Sequence, residues 1–269
     1  MYESTVFVAA TAIMVLASVQ DIRRREVSDW CWIALLALAV LDCLMTSEWI
    51  EAEMRVTAVI LLGMFMFSPR VTGSVSVVTV SSAVALLIAV YLITSDPSTV
   101  VSALMAVSAI VLYSIGMIRG GADAKALISF SLLYPMYPGF GCMLWPAVYP
   151  ADLVFNPVFS AAAMALVLSV VWTLCVVHRS GTSGGCPVGQ YVMDIDDARR
   201  SFVWPAEDII DGRRVRISVT DDAQRIYDCL KQHGCEKVRV TPMIPFIPML
   251  AIGLVASVML GTPLNLLIS

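Results

Sequence analysis

Long apolar runs, each ended by charge, proline or glycine, set the pattern of this chain. A helix crosses a bilayer core with about 20 apolar residues. On that scale eight stretches read as spans: residues 5–20, 30–45, 54–68, 75–95, 100–118, 126–149, 156–177 and 243–268. The first stops at Asp21-Ile22-Arg23-Arg24-Arg25-Glu26, and the second opens on Trp30, a residue suited to the membrane–water interface. The third is the weakest by pattern, because only 56–68 is strictly uncharged and Glu48, Glu51 and Glu53 precede it. Asp96-Pro97-Ser98 is a turn signal that makes residues 75–118 a helical hairpin. Pro135, Pro138, Gly139, Gly141 and Pro146 predict a helix followed by an irregular loop across 126–149. The opening Met1-Tyr2-Glu3-Ser4 lacks a basic leader region, and its apolar run ends in charge instead of small residues, so it reads as a retained span.

The pattern changes at 179–240, where polar residues dominate for long enough to build a separate domain. Ser180-Gly181-Thr182-Ser183-Gly184-Gly185 reads as a flexible linker. A phosphate-binding loop would need a G-K-[ST] ending and a preceding strand, and has neither. Residues 213–219 alternate like a strand, and 221–232 read as a helix with Asp221 or Asp222 near its cap. The expected fold class is therefore an all-α polytopic membrane protein of about eight transmembrane helices, with a small α+β cytoplasmic domain inserted before the last helix. Its parts are a membrane domain at 1–178, a soluble domain at 179–240 and a last transmembrane helix at 241–269.

Composition agrees. The 269 residues are 59% hydrophobic and 14% charged, and the mean hydropathy of +0.83 is far from that of a soluble globule. The net charge of −4 hides an uneven layout, since ten of the seventeen Lys and Arg lie between Arg179 and Arg239. Ten acids share that segment, so it offers no one-signed basic stripe for phosphates, and no nucleic-acid partner is expected. Seven cysteines without a C-x-x-C pair, and two histidines, give no pattern for a metal site. No G-x-x-x-G lies in a clean span to mark a dimer face, which leaves the oligomeric state open.

Charge sets the orientation. Arg23, Arg24, Arg25, Arg70, Arg119 and Lys125 fall in alternate short loops, and the opposite loops hold Arg55. The positive-inside rule then puts the first set, and the polar domain, in the cytoplasm. Two acids sit at that edge, Asp21 after the first span and Asp123 within Arg119-Gly120-Gly121-Ala122-Asp123-Ala124-Lys125. One aspartate at a helix end is usually a cap. Two on one membrane face, one of them behind a glycine pair, form a candidate catalytic dyad. Parity is the condition: an even number of spans must separate them, so the stretch at 54–68 has to cross.

Two neighbouring carboxyls cannot both ionise easily and share a proton near neutrality. The ionised member can take a proton from water as it attacks a peptide carbonyl, and the protonated member can donate to the carbonyl oxygen. That chemistry needs no cofactor or metal. Gly120 and Gly121 allow close approach of an extended substrate backbone, and Ala122 and Lys125 complete the candidate substrate-binding set. Asp194, Asp196 and Asp197 read as a solvated acidic turn.

Gly120-Gly121-Ala122-Asp123-Ala124-Lys125 resembles the G-x-G-D motif of the type IV prepilin peptidases, which are intramembrane aspartic proteases, and Ser18-Val19-Gln20-Asp21-Ile22-Arg23 resembles the setting of their first catalytic aspartate. Within that family the chain is most similar to the archaeal preflagellin (archaellin) peptidases. The support is Val240-Thr241-Pro242-Met243-Ile244-Pro245-Phe246 opening the last span, and a polar domain before it in place of an N-terminal cysteine-rich zinc loop. Ala122 stands where the motif has its second glycine, and residues 75–118 add a hairpin to the two spans usual between the aspartates. The resemblance implies partners: preflagellin or prepilin precursors, whose short basic leader is cut from a hydrophobic helix at the cytoplasmic face of the cell membrane. The alternative is a transporter using Asp21 and Asp123 as proton or cation relays. It would predict duplicated halves and acids at the midplane, whereas no internal repeat is found and both acids lie at the edge. An inactive scaffold for pilus or flagellum assembly is a third reading.

Overall fold

The computed structural model describes residues 2–67, 74–118, 120–139, 156–180, 187–210, 212–217 and 222–261. The chain divides into two compact units, residues 1–165 with 246–269, and residues 166–245.

The first unit is helical. It contains α1 (Tyr2–Arg24), α2 (Asp29–Thr46), α3 (Trp49–Phe67), α4 (Ser74–Thr94), α5 (Pro97–Ser114) and α6 (Gly121–Leu133), the start of α7 (Pro157–Arg179), and α10 (Phe246–Leu260). Among the described residues, five helices are long and apolar enough to cross a membrane: α1, α2, α4 over Val77–Thr94, α5 and α7. The other three expected spans form helices as well. Of these, α3 carries Glu51, Glu53 and Arg55 near its start, while α6 and α10 are shorter, at 13 and 15 residues.

Helices α1 and α10 pack together, α2 lies against α1, α3 and α6, and the α4–α5 hairpin is held between α3 on one side and α6 on the other. The interfaces are rich in alanine. Ala10, Ala17, Ala39, Ala58, Ala106 and Ala126 are fully buried, and such small side chains let helix backbones approach closely where lipid offers no hydrophobic drive to associate. The reverse faces carry Val8, Leu16 and Leu92 at 67%, 62% and 74% exposure, as expected of surfaces that meet lipid.

Two polar links show how α3 runs. Near its start Arg55 pairs with Glu51 at 2.7 Å and reaches Asp96, in the α4–α5 turn, at 2.5 Å. At its other end the ring of Phe67 lies 4.9 Å from the Lys125 ammonium. Helix α3 therefore runs from the end of the bundle that holds the hairpin turn to the end that holds the start of α6, as the parity condition requires. It begins earlier than expected, at Trp49, because the Glu51–Arg55 pair, four residues apart, satisfies both charges on the helix surface. Asp96 also caps α5: its carboxylate accepts the Ser98 amide at 3.0 Å and the Ser98 hydroxyl, with Pro97 in the first turn.

Two boundaries depart from the sequence reading in ways that matter. Helix α6 starts at Gly121 instead of Ala126, which places Asp123 in its first turn, and it stops at Leu133 ahead of Pro135. Helix α10 starts at Phe246 instead of Met243, because Thr241 and Pro242 belong to a strand and Pro245 disfavours helical backbone at Ile244. The linker at 181–185, the loop at 140–155 and the end of the chain from 262 lie outside the described residues.

The second unit is α+β. Strands β1 (Tyr191–Asp194), β5 (Lys237–Pro242) and β2 (Val203–Pro205) form an antiparallel sheet in that order, and β3 (Glu207–Ile210) pairs with β4 (Arg213–Arg216) as a hairpin. Helix α8 (Ile195–Arg200) follows β1, and α9 (Ala223–Gln232) buries Ile226, Tyr227 and Leu230 with Val177, Tyr191, Val238 and Val240. Asp222 stands at the N-cap of α9, as expected, and β4 falls within the strand read at 213–219. Strands β1, β2, β3 and β5 have no counterpart in the sequence reading. The acids read as a solvated turn instead end β1 at Asp194 and open α8 with Asp196 and Asp197, and Asp196 pairs with Lys231 at 2.6 Å.

Two predictions follow from the helical unit. A Cβ at Gly253 of α10 would lie 2.5 Å from the Ala161 carbonyl oxygen of α7, so Gly253→Ala should destabilise the protein by about 1–3 kcal/mol, read as a lower melting temperature in detergent. Burial alone would raise the pKa of Asp96, but the Ser98 hydroxyl and amide and the Arg55 guanidinium outweigh it and hold the carboxyl below its ordinary value of 3.8. A depressed folded-state pKa contributes stability above the unfolded value and loses it as pH falls through the folded one. The melting advantage of the wild type over Asp96→Asn should accordingly be present at neutral pH and shrink as pH drops below about 3.8.

Candidate functional site

The end of the helical unit opposite the hairpin turn collects the chemically useful groups. Asp21 lies in the last turn of α1 and is 8% exposed. Its position depends on how α1 stops. Arg25 takes a left-handed backbone at φ 56° and donates its amide to the Asp21 carbonyl at 3.0 Å. The Gln20 side-chain carbonyl accepts the Ser28 amide at 2.8 Å, closing the turn into α2. Left-handed backbone is costly for a residue with a Cβ, so this turn is fixed by what surrounds it.

The Asp21 carboxylate faces the start of α10 and accepts the Ile247 amide at 3.2 Å. The first-turn amides of a helix have no partner within the helix, and here Pro248 has no N–H to offer and Ile247 is supplied from α1. Helix α10 thus has its positive end against a carboxylate from a residue 226 positions earlier.

Asp123 enters from the other side, in the first turn of α6. The Gly120 carbonyl accepts the Asp123 and Ala124 amides at 3.1 and 3.2 Å and so starts the helix. The Asp123 carboxyl folds back over Gly120: a Cβ on that glycine would lie 2.8 Å from the Asp123 Cγ and still closer to one of its oxygens. A side chain at 120 would therefore displace the carboxyl of the aspartate three residues on. Gly121 is exposed, with the Tyr113 hydroxyl 3.8 Å from where its Cβ would stand, and Ala122 packs on the helical core.

Asp21 and Asp123 are near enough for the charge of one to act on the other, although 102 residues separate them in sequence. Arg25 lies within the electrostatic reach of Asp21. Lys125 is committed elsewhere: its ammonium pairs with Asp29, at the start of α2, at 2.5 Å, and sits over Phe67. It straps the start of α6 to α2 and α3, two residues from Asp123.

The arrangement thus joins two carboxylates, a guanidinium and a helix N-terminus, with a sterically bare backbone beside Asp123. Among the described residues no group of His, Cys, Asp or Glu is placed to hold a metal ion. Sequence reasoning missed three participants. Arg25 could have been found as the cation one helical turn beyond Asp21, but it was counted only toward membrane orientation. Asp29 had a faint signal as the acid opening the second apolar run. The Ile247 amide had none, because a backbone donor carries no mark in the sequence.

Substituting Gly120→Ala should push the Asp123 carboxyl off its present position and leave the helices standing. If the site is catalytic, its activity should fall on the order of a hundredfold while the melting temperature changes little, which a thermal scan alongside a rate assay would check.

Comparison with known proteins found no matching family model, no matching curated protein and no matching solved structure.

Proposed function

We propose that the protein is a membrane aspartic endopeptidase in which Asp21 and Asp123 form the catalytic dyad. The observation that carries this reading is that the two carboxylates lie at one end of the helical unit within reach of each other's charge, each placed by the local backbone of a different helix. Helix α3 supports it by running the length of the bundle.

In this reading the chain crosses the cell membrane eight times, with the dyad and the polar domain on the cytoplasmic side, where the basic loop residues cluster. The substrate is a preflagellin or prepilin-like precursor, cut between its short basic leader and the hydrophobic helix that follows. A substrate backbone extended past Gly120 and Gly121 meets no Cβ of those two residues, and Gly120 lies directly under the Asp123 carboxyl. Water held between the carboxyls adds to the scissile carbonyl: one acid takes the water proton and the other gives its own to the carbonyl oxygen. The resulting diol then collapses, the C–N bond breaks, and the amine leaves with a proton returned by the dyad. Lys125 acts here as a strap that holds the start of α6, more than as a contact for substrate.

The test is cleavage of such a precursor by membranes carrying matched amounts of the wild type, Asp21→Asn and Asp123→Asn. General acid–base catalysis contributes roughly a hundredfold or more, so each variant should lose at least that much. Cleavage at the normal rate by either variant would remove that aspartate from the mechanism. A wild type inert toward every precursor, but moving ions in sealed vesicles, would favour a transporter.

A further inference from the structure

The two carboxylates do not share the same surroundings. Asp21 accepts the Ile247 amide at the positive end of α10, and it has the Arg25 guanidinium within electrostatic reach. Burial works against a charge at that position, and these two groups oppose that cost. Asp123 has a different environment. Among the described residues the side-chain charge that acts on it is that of Asp21, an anion, and its carboxyl lies over the bare Gly120 backbone.

The other charged groups that the described residues bring near the site leave this asymmetry in place. From α2 comes Asp29 and from α6 Lys125, and these two are bound to each other. Helix α10 has no ionisable side chain over Phe246–Leu260, and α5 offers the Tyr113 hydroxyl beyond Gly121. Arg23 and Arg24, on the last turn of α1, are exposed.

We infer that the dyad is polarised, with Asp21 the ionised member that takes the proton from water and Asp123 the protonated member that donates to the carbonyl oxygen, and that Arg25 is the positioning residue that fixes this order. The inference rests on the peptidase reading for its chemistry, and on the geometry alone for its charge assignment. In the forward step a water O–H proton moves to Asp21 as the water oxygen bonds to the carbonyl carbon. The Asp123 proton moves to the carbonyl oxygen as its π bond opens. In the second step the proton on Asp21 passes to the leaving nitrogen, the C–N bond breaks, and a hydroxyl proton of the diol returns to Asp123. The dyad ends as it began.

The left-handed backbone at Arg25 gives this role a structural basis. It ends α1 and folds the chain back, so that Arg25 stays beside the turn holding Asp21. Arginine suits the task because its charge persists at every pH the protein meets.

The charge assignment can be read without any peptidase activity, by infrared spectroscopy of the purified full chain in lipid, at neutral pH and as pH is lowered. The signal is the C=O stretch of a protonated carboxyl, taken as a difference against the Asp21→Asn/Asp123→Asn double variant. At neutral pH Asp123→Asn should lack the band, because Asp21 is ionised, whereas Asp21→Asn also removes the anion that acts on Asp123, so its band should persist only to a lower pH than in the wild type. Adding Arg25→Gln to Asp123→Asn should raise the pH below which a band appears by about one unit, whereas Arg25→Lys should not. A neutral-pH band in Asp123→Asn with Arg25 intact, or none in the wild type, overturns the assignment. An Arg25→Gln change without spectral effect removes Arg25 from it, and the wild type and Asp123→Asn decide the rest should Arg25→Gln fail to fold. In the cleavage assay Arg25→Gln should move the acid limb of kcat/KM upward by about one pH unit, since Asp21 must be ionised to act. If the bands behave as stated and no precursor is cut, the peptidase reading fails and the charge assignment stands. If precursors are cut and the bands are reversed, the assignment fails alone.

Discussion

The structure of the helical unit turns on one hydrogen bond, from the Ile247 amide to the Asp21 carboxylate. It joins the end of the first helix to the beginning of the last and fixes which ends of α1 and α10 lie together. A buried carboxylate is costly unless something compensates it. The start of α10 needs an acceptor, because proline at 248 and the ordinary geometry of a first turn leave its amides unpaired within the helix. Each group meets the other's need. The same contact sets the Asp21 carboxylate where the start of α6 can bring Asp123 within reach of its charge.

The far end of the bundle solves a similar problem by other means. There Arg55, Glu51, Asp96 and Ser98 form a network that binds α3 to the α4–α5 hairpin. Close to the start of α7, the Tyr137 hydroxyl lies 3.1 Å from that of Ser160 and 3.4 Å from that of Ser257, which also donates to the Pro157 carbonyl at 3.3 Å. With small residues along the helix contacts and polar links at both ends, the helices are held by packing and hydrogen bonds, the forces that remain when lipid surrounds apolar surface. The hairpin at 75–118, which the family resemblance did not lead one to expect, is thereby integrated: Asp96 ties its turn to α3, and α5 lies along α6, the helix that carries Asp123.

Much of this was legible in the sequence, and the limits were physical. Apolar run length located the helices, since a single segment can satisfy all its own backbone groups in lipid only as a helix. It failed at boundaries where a local pair altered the balance, as at Glu51 and Arg55, or where a polar first turn belonged to an apolar helix, as at Asp123. The α9 helix was readable from its spacing and its Asp222 cap. Strand β5 was in principle readable too, because Val238 and Val240 alternate with Lys237 and Arg239 and are fully buried, but its short pattern merged with the prolines opening the last helix. Both aspartates were found from their position at run ends. Lys125 reads in the sequence as part of the substrate-binding set, and its pairing with Asp29, across 96 residues, is a tertiary fact.

Asp21 therefore carries two loads that only one residue type meets together. As a structural acceptor for Ile247 the position asks for an oxygen at the right reach, which asparagine also has. Beside Asp123 and Arg25 it asks for a group that can hold and release a proton, which asparagine lacks. Alanine would meet neither demand and would leave the start of α10 facing a gap. Shape and charge at this position can accordingly be separated by substitution. A bundle that stands with asparagine at 21 but loosens with alanine would locate the structural duty in the oxygen and leave the proton to chemistry.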